Sequence, residues 1–141
     1  LIKEVNANII LDYDKVGRDG NNATAVVIVR TEFLFNNPGI VEKFLRTHVE
    51  LTDYINTNYE LSINLINDQI KEITGKKLPA EIINDAYKRL KITYNPEINS
   101  IRDFYEMLYN VGILKHQKDL NFLIDLEILN KVLKGKGLKQ I

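Results

Sequence analysis

The chain has 141 residues, of which 45% are hydrophobic and 27% are charged, and its 19 basic residues balance its 19 acidic residues. This length predicts one ordinary domain, and the balanced charge argues against bulk electrostatic attraction to nucleic acid or to an anionic membrane. No apolar run approaches the roughly 20 residues that span a bilayer. The absence of cysteine excludes disulfides, thiolate metal sites and cysteine nucleophiles.

Two apolar runs in the first 30 residues are typical of β-strands. Residues 9–13 form the first run, and a turn cluster over residues 17–22 separates it from the second, residues 24–29. The second run is almost uninterrupted, which is typical of a strand buried on both faces of a sheet. Because a stable sheet needs roughly three strands, these runs require neighbours that the chain does not obviously contain. We therefore expect a fragment of a longer protein, which the start without methionine also indicates.

Five helices are predicted after these strands, from cap residues and from apolar spacing. The first follows Asn37-Pro38, the second lies between Asn58 and Gly75, the third opens at Pro79, the fourth covers residues 97–111, and the last follows Asp125. The predicted buried face of the first helix consists of Ile40, Val41, Phe44, Leu45, His48, Val49, Thr52 and Ile55. Strands followed by helices predict a helix-rich α/β fold.

Residues that carry catalytic or metal chemistry are scarce. His48 is interpreted as a packed residue of the first long helix, and His116 as a solvated loop residue. Asp12 and Asp14 would share one face of a strand, where a solvated strand end is favoured over a catalytic dyad. No phosphate-loop, dinucleotide or hydrolase motif is present. We therefore predict no catalytic residue, no metal site and no cofactor, and a protein that is not an enzyme.

The lysines near the end of the chain could indicate a nucleic-acid partner. They are Lys131, Lys134, Lys136 and Lys139. No aromatic residues are interleaved with them for base stacking, so a solvated helix end is favoured. Nucleic acid is not a predicted partner.

Seven segments follow one another in an order that is shared with a known family. They are residues 24–34, 37–45, 48–58, 71–79, 92–96, 100–114 and 119–138. In this order they resemble the solute-binding proteins of ABC importers for nitrate, aliphatic sulfonates and taurine, over nearly the whole chain. One departure is Tyr59, where relatives commonly carry proline.

The resemblance implies the C-terminal part of a two-lobe clamshell of the periplasmic-binding-protein type. Residues 1–23 would form the tail of the second lobe and the hinge crossing, and residues 24–141 the C-terminal part of the first lobe. The implied partners are a small anionic solute, such as an aliphatic sulfonate, taurine or nitrate, and the membrane permease of the importer. The implied location is extracytoplasmic, either periplasmic or as a membrane-anchored lipoprotein.

The hinge crossing contains the candidate ligand-binding residues. These are Asn21, Asn22 and Thr24, whose donors would lie just before a buried strand. Backbone amides and hydroxyl or amide side chains are the groups that hold an anionic head group. A plain turn at these positions is the alternative.

Two other functional interpretations remain open. Relatives of the clamshell fold resemble the enzyme that builds the pyrimidine precursor of thiamine, but that chemistry would require a catalytic histidine and a metal-binding constellation. The amphipathic helices alternatively favour a helical interaction module. As a fragment, the chain is expected to bind its solute weakly or not at all, and to self-associate through an unpaired strand edge.

Overall fold

The described part of the chain is all-helical in the computed structural model, which describes residues 5, 7–12, 15 and 20–141. The helices are α1 (Thr31–Asn36), α2 (Pro38–Thr57), α3 (Tyr59–Thr74), α4 (Ala80–Lys88), α5 (Ile98–Asn110) and α6 (Glu127–Gly135). None of these helices has both the length and the apolarity to cross a membrane.

The predicted α/β fold of a periplasmic-binding-protein-like clamshell is wrong. Within the described ranges there is no β-strand and no sheet. Residues 9–12 and 24–29 have no regular secondary structure, and Tyr13 lies outside the described residues. A β-branched run becomes a strand only when neighbouring strands bond to its backbone, and the described chain supplies no such neighbour for either run.

The local signals for helix ends are largely confirmed. α2 begins at Pro38, and α3 ends at Gly75, whose φ of 85° is the left-handed conformation of a glycine C-cap. α6 begins at Glu127, with Leu126 rather than Asp125 at its N-cap. The sequence does not predict α1. This helix has six residues, which are too few to show a helical periodicity after a β-branched run.

The predicted cap residues Asn37 and Asn58 close the helices before them. Asn37 Nδ2 donates to the carbonyl oxygen of Phe33 at 3.3 Å, and Asn58 Nδ2 donates to that of Tyr54 at 3.0 Å. Neither side chain caps the helix that follows it. Each asparagine therefore stabilises a C-terminus, where carbonyl groups lack intrahelical partners.

The chain divides into two compact units. One consists of the described residues up to Val29 together with Asn95–Asp125, and it contains α5. The other consists of Arg30–Tyr94 and Leu126–Ile141, and it contains the other five helices. The predicted boundary between residues 23 and 24 stays a prediction.

The core of the second unit lies between α2 and α6. It consists of Val49, Leu129, Val132 and Leu133, with Leu45, Tyr94 and Leu126 packed against it. The last helix turns Leu129, Val132 and Leu133 inward. Two ion pairs border this core: Lys131 Nζ lies 2.7 Å from Glu42 Oε2, and Lys136 Nζ lies 2.6 Å from Glu50 Oε1.

The predicted buried face of α2 is only partly correct. Val49 and Thr52 are buried, and four others are partly buried, namely Val41, Leu45, His48 and Ile55. Ile40 and Phe44 are exposed. The face that α6 covers is therefore narrower than the apolar surface of the helix.

α3 and α4 form a second packing layer in the same unit. Ile63 of α3 and Ile83 of α4 are buried, and the two helices contact each other. The loop before α4 is fixed by the side chain of Asn67, which donates to the Leu78 carbonyl oxygen at 2.9 Å and accepts from the Leu78 amide at 2.8 Å. Ile73 continues the apolar spacing of Ile63, Ile66 and Ile70, which would predict an inward position, but its side chain is 82% exposed.

Candidate functional site

The predicted ligand-binding residues Asn21, Asn22 and Thr24 lie together in an exposed loop. The Asn22 amide donates to the Gly20 carbonyl oxygen at 2.8 Å, and Thr24 Oγ1 donates to the Asn22 carbonyl oxygen at 3.4 Å. These bonds give the loop a local turn geometry. The role of the three residues in ligand binding stays a prediction.

The same loop is connected to α5 by one long-range hydrogen bond. The amide of Ala23 donates to Ser100 Oγ at 2.9 Å, and Ser100 is buried in the first turn of α5. This bond holds the middle of the loop in place, so its neighbouring polar side chains start from a defined backbone position. The sequence offered no signal for it, because 77 residues separate the two partners.

The residues considered for catalysis are not brought together in a reactive cluster. His48 is partly buried and stacks on Phe44, with ring centroids 6.2 Å apart and planes 8° apart, and His116 is exposed. The stacking of His48 agrees with its interpretation as a packed residue, and the exposure of His116 agrees with its interpretation as a solvated residue. Asp12 is partly buried, and Asp14 lies outside the described residues. No group of three or more histidine, aspartate or glutamate side chains that could hold a metal is found among the residues described.

α2 carries a second apolar surface, which we call the apolar stripe and define as Ile40, Phe44 and Leu51. These side chains are 56%, 51% and 53% exposed. At 100° per residue they lie roughly opposite Val49, and they extend over about 16 Å of the helix. α2 is therefore apolar on two opposite faces, of which α6 covers one.

The charges of α2 are distributed unequally around this helix. Glu42 and Glu50 point toward α6 and are paired with its lysines. Lys43 borders the apolar stripe, and its ammonium group has no ion-pair partner within the described ranges. Glu50 lies seven residues from Lys43 and hence beside it around the helix, but its carboxylate is paired with Lys136, so the unpaired charge at this border is that of Lys43.

The ion pairs also shift the acidity of the two glutamates. The hydrogen bond from Lys131, together with its charge and that of Arg46, holds the pKa of Glu42 below the usual value of 4.5. The hydrogen bond from Lys136 and its charge do the same for the pKa of Glu50. Both carboxylates are charged at neutral pH, so the electrostatic attachment of α6 is fully formed there.

A buried hydroxyl cluster lies between α3 and α4. Tyr59 Oη, Ser62 Oγ and Tyr87 Oη are buried without a hydrogen-bond partner among the described residues. The two tyrosine rings meet edge to face, with centroids 5.1 Å apart and planes 84° apart. Burial raises the pKa of Tyr87 above its usual value. The charge of the nearby Tyr59 adds a smaller contribution in the same direction. A hydroxyl of this kind stays protonated at neutral pH, which suits packing rather than proton transfer.

Comparisons with known proteins find no matching protein-family model, no matching curated protein and no matching solved structure. The resemblance to importer solute-binding proteins therefore rests on the sequence segments alone. The clamshell that it implies is absent from the described structure.

The apolar stripe is the surface that sequence reasoning missed. Ile40 and Phe44 are assigned to the core face because they lie four residues apart, and because Phe44 lies three residues from Val41 and four from His48. Leu51 does not fit that face, and it is a signal in the sequence of a second apolar surface. A helix that is apolar on more than one side requires more than one covering element.

Proposed function

We propose that the chain is a helical interaction module that binds an amphipathic helix of a partner protein along the apolar stripe. The observation that carries this proposal is the pair of opposite apolar faces on α2, one packed by α6 and the other at least half exposed at every residue of the stripe. Exposed apolar side chains aligned on a surface are typical of protein interaction sites.

A helix is the element that best fits this surface. The backbone groups inside α2 are bonded within the helix, so the stripe offers side chains rather than a free edge to a partner strand. α6 covers the opposite face with Leu129, Val132 and Leu133, at the three- and four-residue spacing of a helical stripe. A partner helix with the same spacing would lay its apolar residues along Ile40, Phe44 and Leu51.

Charge defines the partner more closely. Lys43 borders the stripe without an ion-pair partner in the described chain, whereas Glu50, seven residues away on the same side of α2, is paired with Lys136, and Glu42 is paired with Lys131. A partner helix with acidic residues beside its leucines would gain attraction to Lys43, whereas a basic partner helix would meet repulsion. We therefore propose an acidic amphipathic helix as the ligand.

The test uses two designed helical peptides with the same leucine spacing, one flanked by glutamates and one by lysines. Fluorescence anisotropy should give tighter binding of the full chain to the glutamate peptide. Phe44→Ala should weaken this binding about tenfold, as expected for a central aromatic contact. The matched control is Phe35→Ala on α1, which removes an aromatic ring that is 85% exposed and lies outside the stripe.

Two results would contradict the proposal. One is equal binding of the glutamate and lysine peptides, which would remove the charge argument. The other is an equal effect of Phe44→Ala and Phe35→Ala, which would indicate general hydrophobic adhesion. Circular dichroism checks that both variants keep the helical content of the parent.

A second proposal follows from the resemblance: an extracytoplasmic solute-binding component of an importer, with a membrane permease as partner. Its solute would be an aliphatic sulfonate, taurine or nitrate, held by Asn21, Asn22 and Thr24. What favours it is that these three side chains are exposed in one loop whose middle is bonded to Ser100.

Calorimetry with taurine, an alkanesulfonate and nitrate tests this second proposal. Weak saturable binding that disappears in Asn22→Ala would support it. Ser100→Ala should weaken the same binding indirectly, because the loop loses its bond to α5. Saturable binding of one of the three anions that is unchanged in Asn22→Ala would contradict the assignment of these residues as a binding site.

A further inference from the structure

We propose that residues 24–29, which we call the β-branched segment, pair with the same segment of a second copy of this chain as antiparallel strands. This interaction is separate from the apolar stripe and does not depend on the proposed function. It differs from association of apolar surfaces because it requires backbone hydrogen bonds between copies.

The backbone of the β-branched segment is available for such bonds. No backbone hydrogen bond joins residues 25–29 to any other described residue. Five consecutive residues therefore present donors and acceptors that no backbone group of the described chain engages. An unpaired row of this kind is a template for strand addition.

The side chains of the segment favour a strand conformation, and their burial on pairing is energetically favourable. Val26, Val27, Ile28 and Val29 are 50%, 60%, 88% and 45% exposed. β-branched side chains are stiff and pack well against neighbours across a strand pair. Pairing exchanges backbone bonds to water for bonds between chains, so the burial of these four side chains supplies the net gain.

The segment is complementary to itself, which identifies a second copy of the chain as its partner. Residues 20–29 contain no charged residue and no proline, so no group in the run opposes pairing with itself. An antiparallel pair centred on Val27 places Val26 opposite Ile28 of the other copy, and Thr24 opposite Arg30. A parallel pair in register would instead place Arg30 against Arg30, which is unfavourable. The geometry therefore selects the antiparallel arrangement.

One pairing leaves the second edge of each segment open. Because that edge carries the same donors and acceptors, addition of copies does not close at a dimer. We expect dimers at low concentration and larger assemblies as concentration rises.

The test combines sedimentation velocity with amide I infrared spectroscopy on the full chain over a concentration series. Association should rise together with an antiparallel β-sheet band. Val27→Pro should raise the dissociation constant at least tenfold, because proline removes the central donor and disfavours a paired strand. Ile28→Lys should do the same by charge repulsion between copies, and it keeps the backbone donor.

The matched control is Phe35→Lys, which introduces the same charge at an exposed apolar residue outside the segment. This variant should associate like the parent chain. The proposal is overturned if the parent stays monomeric, if association brings no β-sheet band, or if Phe35→Lys weakens association as much as Ile28→Lys. The segment has no backbone bond to lose within the described structure, so circular dichroism of dilute samples should be the same for all variants.

Discussion

Gly75 is the residue whose conformation ends α3. Its φ of 85° is strained for any residue with a Cβ, and an added Cβ would meet nothing within 4 Å. Gly75→Ala therefore tests backbone strain without a steric clash. We expect a loss of about 1 kcal/mol in the free energy of unfolding, measured by urea denaturation.

Gly39 in α2 is the matched control for this change. An added Cβ at Gly39 also meets nothing within 4 Å, and its φ lies outside the left-handed region. Gly39→Ala should raise the free energy of unfolding by about 0.5–1 kcal/mol, because alanine loses less conformational freedom than glycine in a helix. Changes of the same sign at both positions would contradict this account.

Tyr87 tests the cost of a buried hydroxyl without a partner. Tyr87→Phe keeps the ring that meets Tyr59 and removes a group that forms no hydrogen bond with the described chain. We expect the free energy of unfolding at neutral pH to stay within about 0.5 kcal/mol or to rise, because no bond is lost. A loss of more than about 1 kcal/mol in denaturant titration would indicate a hydrogen bond at this hydroxyl.

The same variant has a distinct signature in alkali. Because the pKa of Tyr87 is raised above 10.0 in the folded state, the unfolded chain loses this proton first. Stability contributed by the protonated hydroxyl therefore falls as the pH rises above about 10. The decrease should be smaller in Tyr87→Phe than in the parent chain.

At the scale of elements, the attachment of α6 to α2 should depend on pH and salt. Glu42 and Glu50 have lowered pKa values because of Lys131 and Lys136. A lowered folded pKa gives stability that is present above the usual value of 4.5 and is lost as the pH falls through the folded value. We expect melting temperatures to fall over this range, and to fall less in the double variant Glu42→Gln, Glu50→Gln.

Salt provides the check on this prediction. These pairs lie near the surface, so added sodium chloride should lower the melting temperature of the parent at neutral pH more than that of the double variant. Glu60→Gln on α3 is the control, since Glu60 takes no part in the α2–α6 pairs. An equal salt response of parent and double variant would contradict a role for the two pairs.

Helix limits could be predicted because they depend on residues close in sequence. Pro38 and Gly75 set a start and an end by restricting or permitting particular φ values. The faces of the helices could be predicted less well. Ile40 and Phe44 share the spacing of core residues, but α6 covers only the side of α2 that carries Val49.

At the scale of the molecule, stability should be unequally distributed. The α2–α6 core buries Val49, Val132 and Leu133 almost completely, whereas residues 25–29 have no backbone bonds to the described chain. Amide hydrogen exchange in dilute solution should be at least about a hundredfold slower near Val49 than in residues 25–29. Comparable exchange at the two places would contradict the core assignment.

The candidate sites were predictable to different extents. Asn21, Asn22 and Thr24 stood out as a polar cluster before an apolar run, and the structure places them in one exposed loop. The bond from Ala23 to Ser100 and the exposure of the apolar stripe were not predictable, because both depend on which distant element packs beside them.

The sequence by itself determined the absence of disulfides and of cysteine chemistry, the balanced charge and the positions of most helices. These properties depend on residue identity or on neighbours within a few positions. The tertiary structure decided which helix faces are buried and whether the β-branched runs become strands. A strand exists only when another strand completes its hydrogen bonds, and a helix face is buried only when another element covers it. The residues of the β-branched segment can favour a strand, but they cannot supply its partner.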